Sequence, residues 1–164
     1  LAVASCLAGL AFTKASVGYV HAIAHQLGPR YHLAHGYLNA ILLPYVLDFY
    51  MDEATTQMAE LARACGLGQE GDDARTLAMS LVLQIRALNE RIGIPPTIEQ
   101  IAERDVPEIV HGALSEAHGT YPVPKYMTVA ECATVVRQAG GLSEIAVAGH
   151  RARAHRAGPD SEEV

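Results

Sequence analysis

Several residue types that constrain function are scarce in this chain of 164 residues. It contains no Trp, two Phe and three Cys, and charged residues make up only 18% of the sequence. Twelve Lys and Arg stand against eighteen Asp and Glu, which gives a net charge of −6. A basic excess of the kind that attracts proteins to phosphate backbones is therefore missing, and we expect no nucleic-acid partner.

The three cysteines, Cys6, Cys65 and Cys132, are too few and too widely spaced for a disulfide framework or a thiolate zinc site. A reducing, cytoplasmic location is the simplest interpretation. The apolar stretch from Leu1 to Phe12 is too short to span a bilayer and has no basic flank, so no membrane association is expected. Since it also lacks an initiator Met, we interpret it as a buried helix from within a longer protein.

Strand patterns are also missing, because no segment alternates apolar and polar residues over the length of a strand. Hydrophobic residues make up 50% of the chain, and many of them recur at spacings of three and four. This pattern predicts an all-α fold with a packed core.

Stop signals predict where the helices end: at Gly28-Pro29, at 66–71, at 93–96 and at 119–124. Pro44 predicts a kink or a break inside its helix. Capping boxes are predicted at Thr97 to Gln100 and at Thr128 to Glu131. After Gly140-Gly141 the composition shifts toward Ala, Arg, His and finally acidic residues. We therefore expect a helical metal-binding domain over residues 1–140 and a mobile tail over 141–164.

Histidine has the most uneven distribution in the chain. Four of the eight histidines, His21, His25, His32 and His35, lie within fifteen residues. Residues four apart share one helix face, so His21 and His25 project the same way, and a turn at Gly28-Pro29 would bring His35 near the same point. Such imidazoles suit zinc, iron, copper or nickel.

The spacing leaves two interpretations of these histidines open. They form a metal site, or they are packed core and surface residues. The nearest acidic residue downstream is Asp48, more than three turns into the next helix. A metal site therefore needs further ligands from elsewhere.

The stretches 7–12, 18–28 and 35–44, taken in order, resemble the signature of the iron-containing (group III) alcohol dehydrogenases. The resemblance continues more weakly through 87–95 and 122–139 and covers about residues 1–140. It implies the multi-helix C-terminal domain of a dehydroquinate synthase-like fold. The N-terminal nucleotide-binding domain of the family, with its Gly-rich loop, is absent from this chain.

The resemblance also implies roles for individual residues. His21 and His35 match two ligands of a divalent metal, Fe2+ or alternatively Zn2+, whose other two ligands are an Asp and a His that lie upstream. His25 matches a histidine near the substrate and the nicotinamide, so we assign it a catalytic role. The implied cofactor is NAD or NADP, and no residue that binds it is identified.

The function that the resemblance implies is a metal-dependent, NAD(P)-linked alcohol dehydrogenase that acts on a small alcohol, aldehyde or ketone and is a homo-oligomer when full length. This chain would be its helical metal-binding part, inactive alone.

The loop from His118 to Lys125 lacks the Asn-Pro-Arg triplet of many members, so the substrate is not predicted. The alternative is a non-catalytic helical or oligomerisation module, or an inactive fragment that binds metal adventitiously.

Overall fold

The computed structural model describes residues 1–69 and 71–142, and over those residues the chain is helical without a strand. The all-α prediction is confirmed. The predicted mobile tail lies outside the described residues except for its first two positions. The elements are α1 (Ala2–Ala15), α2 (Tyr19–Tyr31), α3 (His35–Phe49), α4 (Thr55–Ala64), α5 (Ala74–Arg91), a 3-10 turn (Glu103–Asp105), α6 (Val106–Ala117) and α7 (Val129–Ala139).

Helix α2 packs against α3 and α6, and α3 also contacts α5 and α7. The side chains of Tyr19, Ile23 and Leu27 recur every four residues and are completely buried. This apolar stripe faces the core. It leaves His21 and His25 on the side of the same helix that points away from the core.

The helix end predicted at Gly28-Pro29 was wrong, and helix α3 has no break at Pro44. Helix α2 runs through Gly28-Pro29 and ends at Tyr31, followed by His32 with a left-handed φ of 54°. A residue outside the helix stabilises its last turn, because the Tyr31 hydroxyl donates a hydrogen bond to Asp105 at 2.8 Å. The chain reversal therefore comes one turn later than the sequence predicts.

Helix α3 likewise continues through Pro44, without a break. A proline cannot donate to the carbonyl four residues before it, which here belongs to Ala40. That oxygen instead accepts a hydrogen bond from Nδ2 of Asn89 on α5 at 2.7 Å. A side chain from another helix thus satisfies the group that Pro44 leaves free.

Of the two predicted capping boxes, the structure confirms the one at Thr128. Asp73 caps α5, and the Thr128 capping box opens α7. No α-helix begins at Thr97, so the capping box predicted there was wrong. The segment instead packs against the end of α7, where the completely buried Ile98 donates its N–H to the carbonyl of Ala139 at 2.7 Å.

The interpretation of the first residues as a helix is confirmed, but the expectation that it is buried was wrong, because none of the residues of α1 is buried among the described residues. Large apolar side chains are exposed along it at Val3, Leu7, Leu10 and Phe12. No single helix in the described part of the chain is long and apolar enough to cross a membrane. Helices α1 and α2 meet that criterion only as a pair, and the chain bends by 107° between them.

Replacement of Thr128 by Ala is expected to lower the free energy of unfolding by about 1 kcal/mol. The change removes the Oγ1 atom that accepts from the N–H of Glu131 at 3.2 Å and donates to its carboxylate at 2.8 Å. Urea denaturation checks it. Thr134→Ala on the same helix is the control, since its exposed hydroxyl bonds only the carbonyl of Ala130, and a loss as large there would contradict the cap's role.

Candidate metal and catalytic site

Three of the four clustered histidines come together where α2 meets α3. The ring centroids of His21 and His35 lie 5.1 Å apart, those of His25 and His35 lie 5.2 Å apart, and those of His21 and His25 lie 5.9 Å apart. Helices α2 and α3 reverse direction through a short turn that begins at His32, which is itself exposed and outside the cluster. The arrangement has one half-buried ring, His21, and two exposed rings.

The Nε2 atoms of His21 and His35 converge on a single group. Nδ2 of Asn39, one turn after His35 on α3, lies 3.2 Å from Nε2 of His21 and 2.9 Å from Nε2 of His35. An amide nitrogen only donates, so both Nε2 atoms present their lone pairs to this point. Metal ions bind neutral imidazole through such a lone pair.

Burial and charge both favour the neutral form of His21. Burial lowers the pKa of this imidazole, and the neighbouring rings of His35 and His25 lower it further. A ring that stays neutral keeps its Nε2 lone pair available for a cation. The electrostatics of His21 therefore agree with a ligand role.

His25 has a different partner. Its Nδ1 lies 2.7 Å from Oε1 of Glu116, in the last turn of α6 and 91 residues further along the chain. The same carboxylate accepts from the Tyr121 hydroxyl at 2.7 Å and from Nε2 of Gln26 at 3.2 Å. The bond from Tyr121 raises the pKa of that phenol to about 12, so its hydroxyl remains a donor at neutral pH.

Sequence reasoning missed Glu116, although one signal was present. An acidic residue in the last turn of a helix is opposed by the helix dipole, so its placement needs compensating donors. A glycine on α6 marks the approach of the two helices, since a Cβ at Gly112 would clash with the side chain of Gln26. Gly112 thereby leaves room for Gln26 to reach Glu116.

The donor set fits a metal ion bound in part by this chain. Two imidazole nitrogens with converging lone pairs suit Fe2+ or Zn2+. Within residues 1–69 and 71–142, no three His, Cys, Asp or Glu side chains are arranged to hold a metal between them. His21 and His35 would therefore be two ligands of a set completed by groups outside the described residues.

A mostly apolar groove of about 400 Å³ borders the cluster, with His21, Asn39 and Tyr50 among its lining residues. Oδ1 of Asn39 and the Tyr50 hydroxyl are buried and have no hydrogen-bond partner among the described residues. A larger groove of about 630 Å³ lies between α3 and α5 and contains no histidine. Of the side chains of the site, His21 and Asn39 line the smaller groove.

The loop between α6 and α7 is tied to the start of α2. The completely buried Tyr19 accepts a hydrogen bond from the backbone N–H of Met127 at 2.8 Å, and its hydroxyl also lies 2.8 Å from Nε2 of His118. His118 sits at the C-terminal end of α6 and is exposed. It contacts this tyrosine rather than the histidine cluster.

Comparison with known proteins gives consistent matches. Residues 1–140 match the family model described as "Fe-containing alcohol dehydrogenase family, C-terminal". The chain is 36% identical over 141 residues to 1,3-propanediol dehydrogenase of Citrobacter freundii, which covers 85% of this chain and 36% of that protein. It is 38% identical over 125 residues to alcohol dehydrogenase 4 of Saccharomyces cerevisiae, covering 73% of this chain and 31% of the relative.

Solved structures agree with the sequence matches. A crystal structure of 1,3-propanediol oxidoreductase superposes with a TM-score of 0.77 at 36% identity, over 83% of this chain and 36% of that one. An alcohol dehydrogenase from Oenococcus oeni gives a TM-score of 0.75 at 33% identity, over 81% and 35%. The chain thus spans about a third of the length of the proteins that it matches.

Proposed function

Because this chain belongs to the iron-containing alcohol dehydrogenase family, we propose that it forms the helical, metal-binding part of an NAD(P)-linked alcohol dehydrogenase. The reaction is the reversible conversion of an alcohol into an aldehyde or ketone by hydride transfer. The active enzyme requires parts of the protein beyond these helices. We further propose a homo-oligomeric enzyme of the cytoplasm that acts on small molecules.

In this proposal His21 and His35 hold the metal, and His25 handles the proton of the substrate. Bound Fe2+ or Zn2+ would supply a Lewis acid for the substrate oxygen, and bound NAD or NADP would supply the hydride chemistry. His25 lies one turn beyond His21 on the same helix, and among the described residues its Nε2 makes no hydrogen bond. That nitrogen is free to take the hydroxyl proton and pass it toward solvent.

The observation that carries the proposal is the convergence of two Nε2 atoms on Asn39 Nδ2. Packing alone does not need two histidines from different helices to aim their lone pairs at one point. A bound cation would have to displace the Asn39 amide to become the partner of both rings. Oδ1 of Asn39 is buried and has no hydrogen-bond partner among the described residues. The Asn39 amide therefore lacks a donor for its oxygen in this arrangement.

Metal analysis and a substrate panel on the full-length protein test the proposal. We expect iron or zinc in the purified protein, and reduction of NAD or NADP with small alcohols. The names of the relatives, propanediol, butanol and propanol dehydrogenases and lactaldehyde reductase, define the panel. A full-length protein that binds no divalent metal and oxidises no alcohol contradicts the proposal.

One feature favours the alternative of a non-catalytic module. Helix α1 exposes Val3, Leu7, Leu10 and Phe12, a surface suited to association. The gene on the 5′ side of the Leu1 codon discriminates between the two functions. A Gly-rich pyrophosphate loop followed by an Asp-x-x-x-His motif supports the enzyme, and their absence supports the module.

A further inference from the structure

The carboxylate of Glu116 contacts Nδ1 of His25, and both of its oxygens make hydrogen bonds. Oε1 lies 2.7 Å from Nδ1 of His25 and 2.7 Å from the Tyr121 hydroxyl, and Oε2 accepts from Gln26. An ionised carboxylate only accepts hydrogen bonds, so Nδ1 of His25 must carry the proton of the neutral ring. The lone pair of that ring is then on Nε2.

The position of Glu116 is unfavourable for the helix that carries it. It lies in the last turn of α6, where the negative end of the helix dipole opposes a carboxylate. Alanine at this position would have a higher helix propensity and no charge. The side chain of Glu116 is 27% exposed, and its donors come from α2 and from the loop after α6. Stability of α6 therefore does not explain this residue.

We propose that Glu116 is a positioning residue that fixes the tautomer and the ring orientation of His25, with Tyr121 and Gln26 fixing Glu116 in turn. The proposal rests on the proposed function of His25 in proton handling. Among the described residues, Glu116 makes its hydrogen bond to the histidine cluster at His25 alone, although its charge also reaches His21 and raises the pKa of that ring against the effect of burial. By holding the proton on Nδ1, it reserves the Nε2 lone pair of His25 for the substrate proton. Triads of carboxylate, histidine and reacting group use the same arrangement in other folds.

The test compares Glu116→Ala with Glu116→Gln in the full-length protein, with Glu108→Gln as the matched control. Glu108 lies on the same helix and pairs with Arg30 at 2.6 Å, away from His25. The Ala variant removes the acceptor, whereas the Gln variant keeps an oxygen that can accept from Nδ1. For Glu116→Ala we expect kcat to fall roughly 10- to 100-fold with metal content retained, and the protein to stay folded under the assay conditions although the loss of three hydrogen bonds lowers its unfolding midpoint. We expect Glu116→Gln to recover part of that loss and Glu108→Gln to match the wild type.

A second readout does not depend on turnover. Nitrogen-15 NMR of labelled histidines in the metal-free protein, with the His25 signal assigned by its loss in His25→Gln, reports which ring nitrogen carries the proton. We expect the Nδ1–H tautomer in the wild type and a mixture of tautomers in Glu116→Ala.

Several outcomes would overturn the proposal. They are an unchanged kcat in Glu116→Ala, an unchanged tautomer in that variant, or a loss of metal as large as that of its activity. Failure of the proposed function looks different. In that case the wild type itself lacks metal and alcohol oxidation, while the tautomer measurement still decides whether Glu116 controls the ring of His25.

Discussion

Replacement of His21 or of His35 by Ala is expected to remove most of the metal from the full-length protein, and activity with it. Each change deletes one of the two imidazoles whose Nε2 atoms converge on Asn39. Changes to groups that only support a ligand already cost roughly 10- to 100-fold in metal affinity, so loss of the ligand itself should cost more. Added metal should restore activity only in part. Elemental analysis of the purified variants, beside their steady-state rates, checks the result.

His111→Ala is the control for this pair. His111 is an exposed histidine on α6 and belongs to no cluster, so its variant should keep both metal and activity. Metal content in His21→Ala and His35→Ala equal to that of this control would show that these two rings are packing residues. The metal site would then have to be placed elsewhere.

Replacement of His25 by Ala is expected to leave the metal in place and to lower turnover by roughly 10² to 10⁴, the usual contribution of general acid-base catalysis. Distance alone does not distinguish a catalytic role of His25 from a ligand role, because its ring stacks on that of His35 with the ring centroids 5.2 Å apart. The hydrogen bonds do separate it. His21 and His35 share the Asn39 amide, whereas His25 is bonded through Nδ1 to Glu116.

Metal content and kcat, measured together on His25→Ala, His21→Ala and the wild type, test this separation of roles. The expected pattern is full metal with low turnover for His25→Ala, and low values of both for His21→Ala. If the His25 variant loses metal as completely as the His21 variant, His25 is a ligand. The assignment of a proton-handling role to it would then be wrong.

The local part of the site could be predicted because it depends on helix periodicity. His21 and His25 share a face since they are four residues apart, and the buried stripe from Tyr19 to Leu27 fixes which face that is. The approach of His35 was also predicted, although for a partly wrong reason. The turn comes after Tyr31 rather than at Gly28-Pro29, because contacts with Asp105 hold the last turn of α2.

The remainder of the site depends on contacts that no local pattern encodes. Glu116 is 91 residues from His25 in sequence, and only the packing of α6 on α2 brings the two together. The prolines illustrate the same limit. Whether Pro44 breaks α3 depends on whether another helix supplies a donor for the carbonyl of Ala40, and Asn89 of α5 does so. Tertiary partners, rather than propensity, decided both cases.

The bond between Tyr19 and Met127 has a consequence for protein engineering. The donor at position 127 is a backbone N–H, which every residue except proline provides, whereas the acceptor is a side-chain hydroxyl that requires Tyr19. A loop between α6 and α7 can therefore change at positions other than Tyr121 and the buried Met127 and still be anchored to the helix that carries His21 and His25. The hydrogen bond is kept in a changed loop as long as position 127 is not proline and Tyr19 is retained.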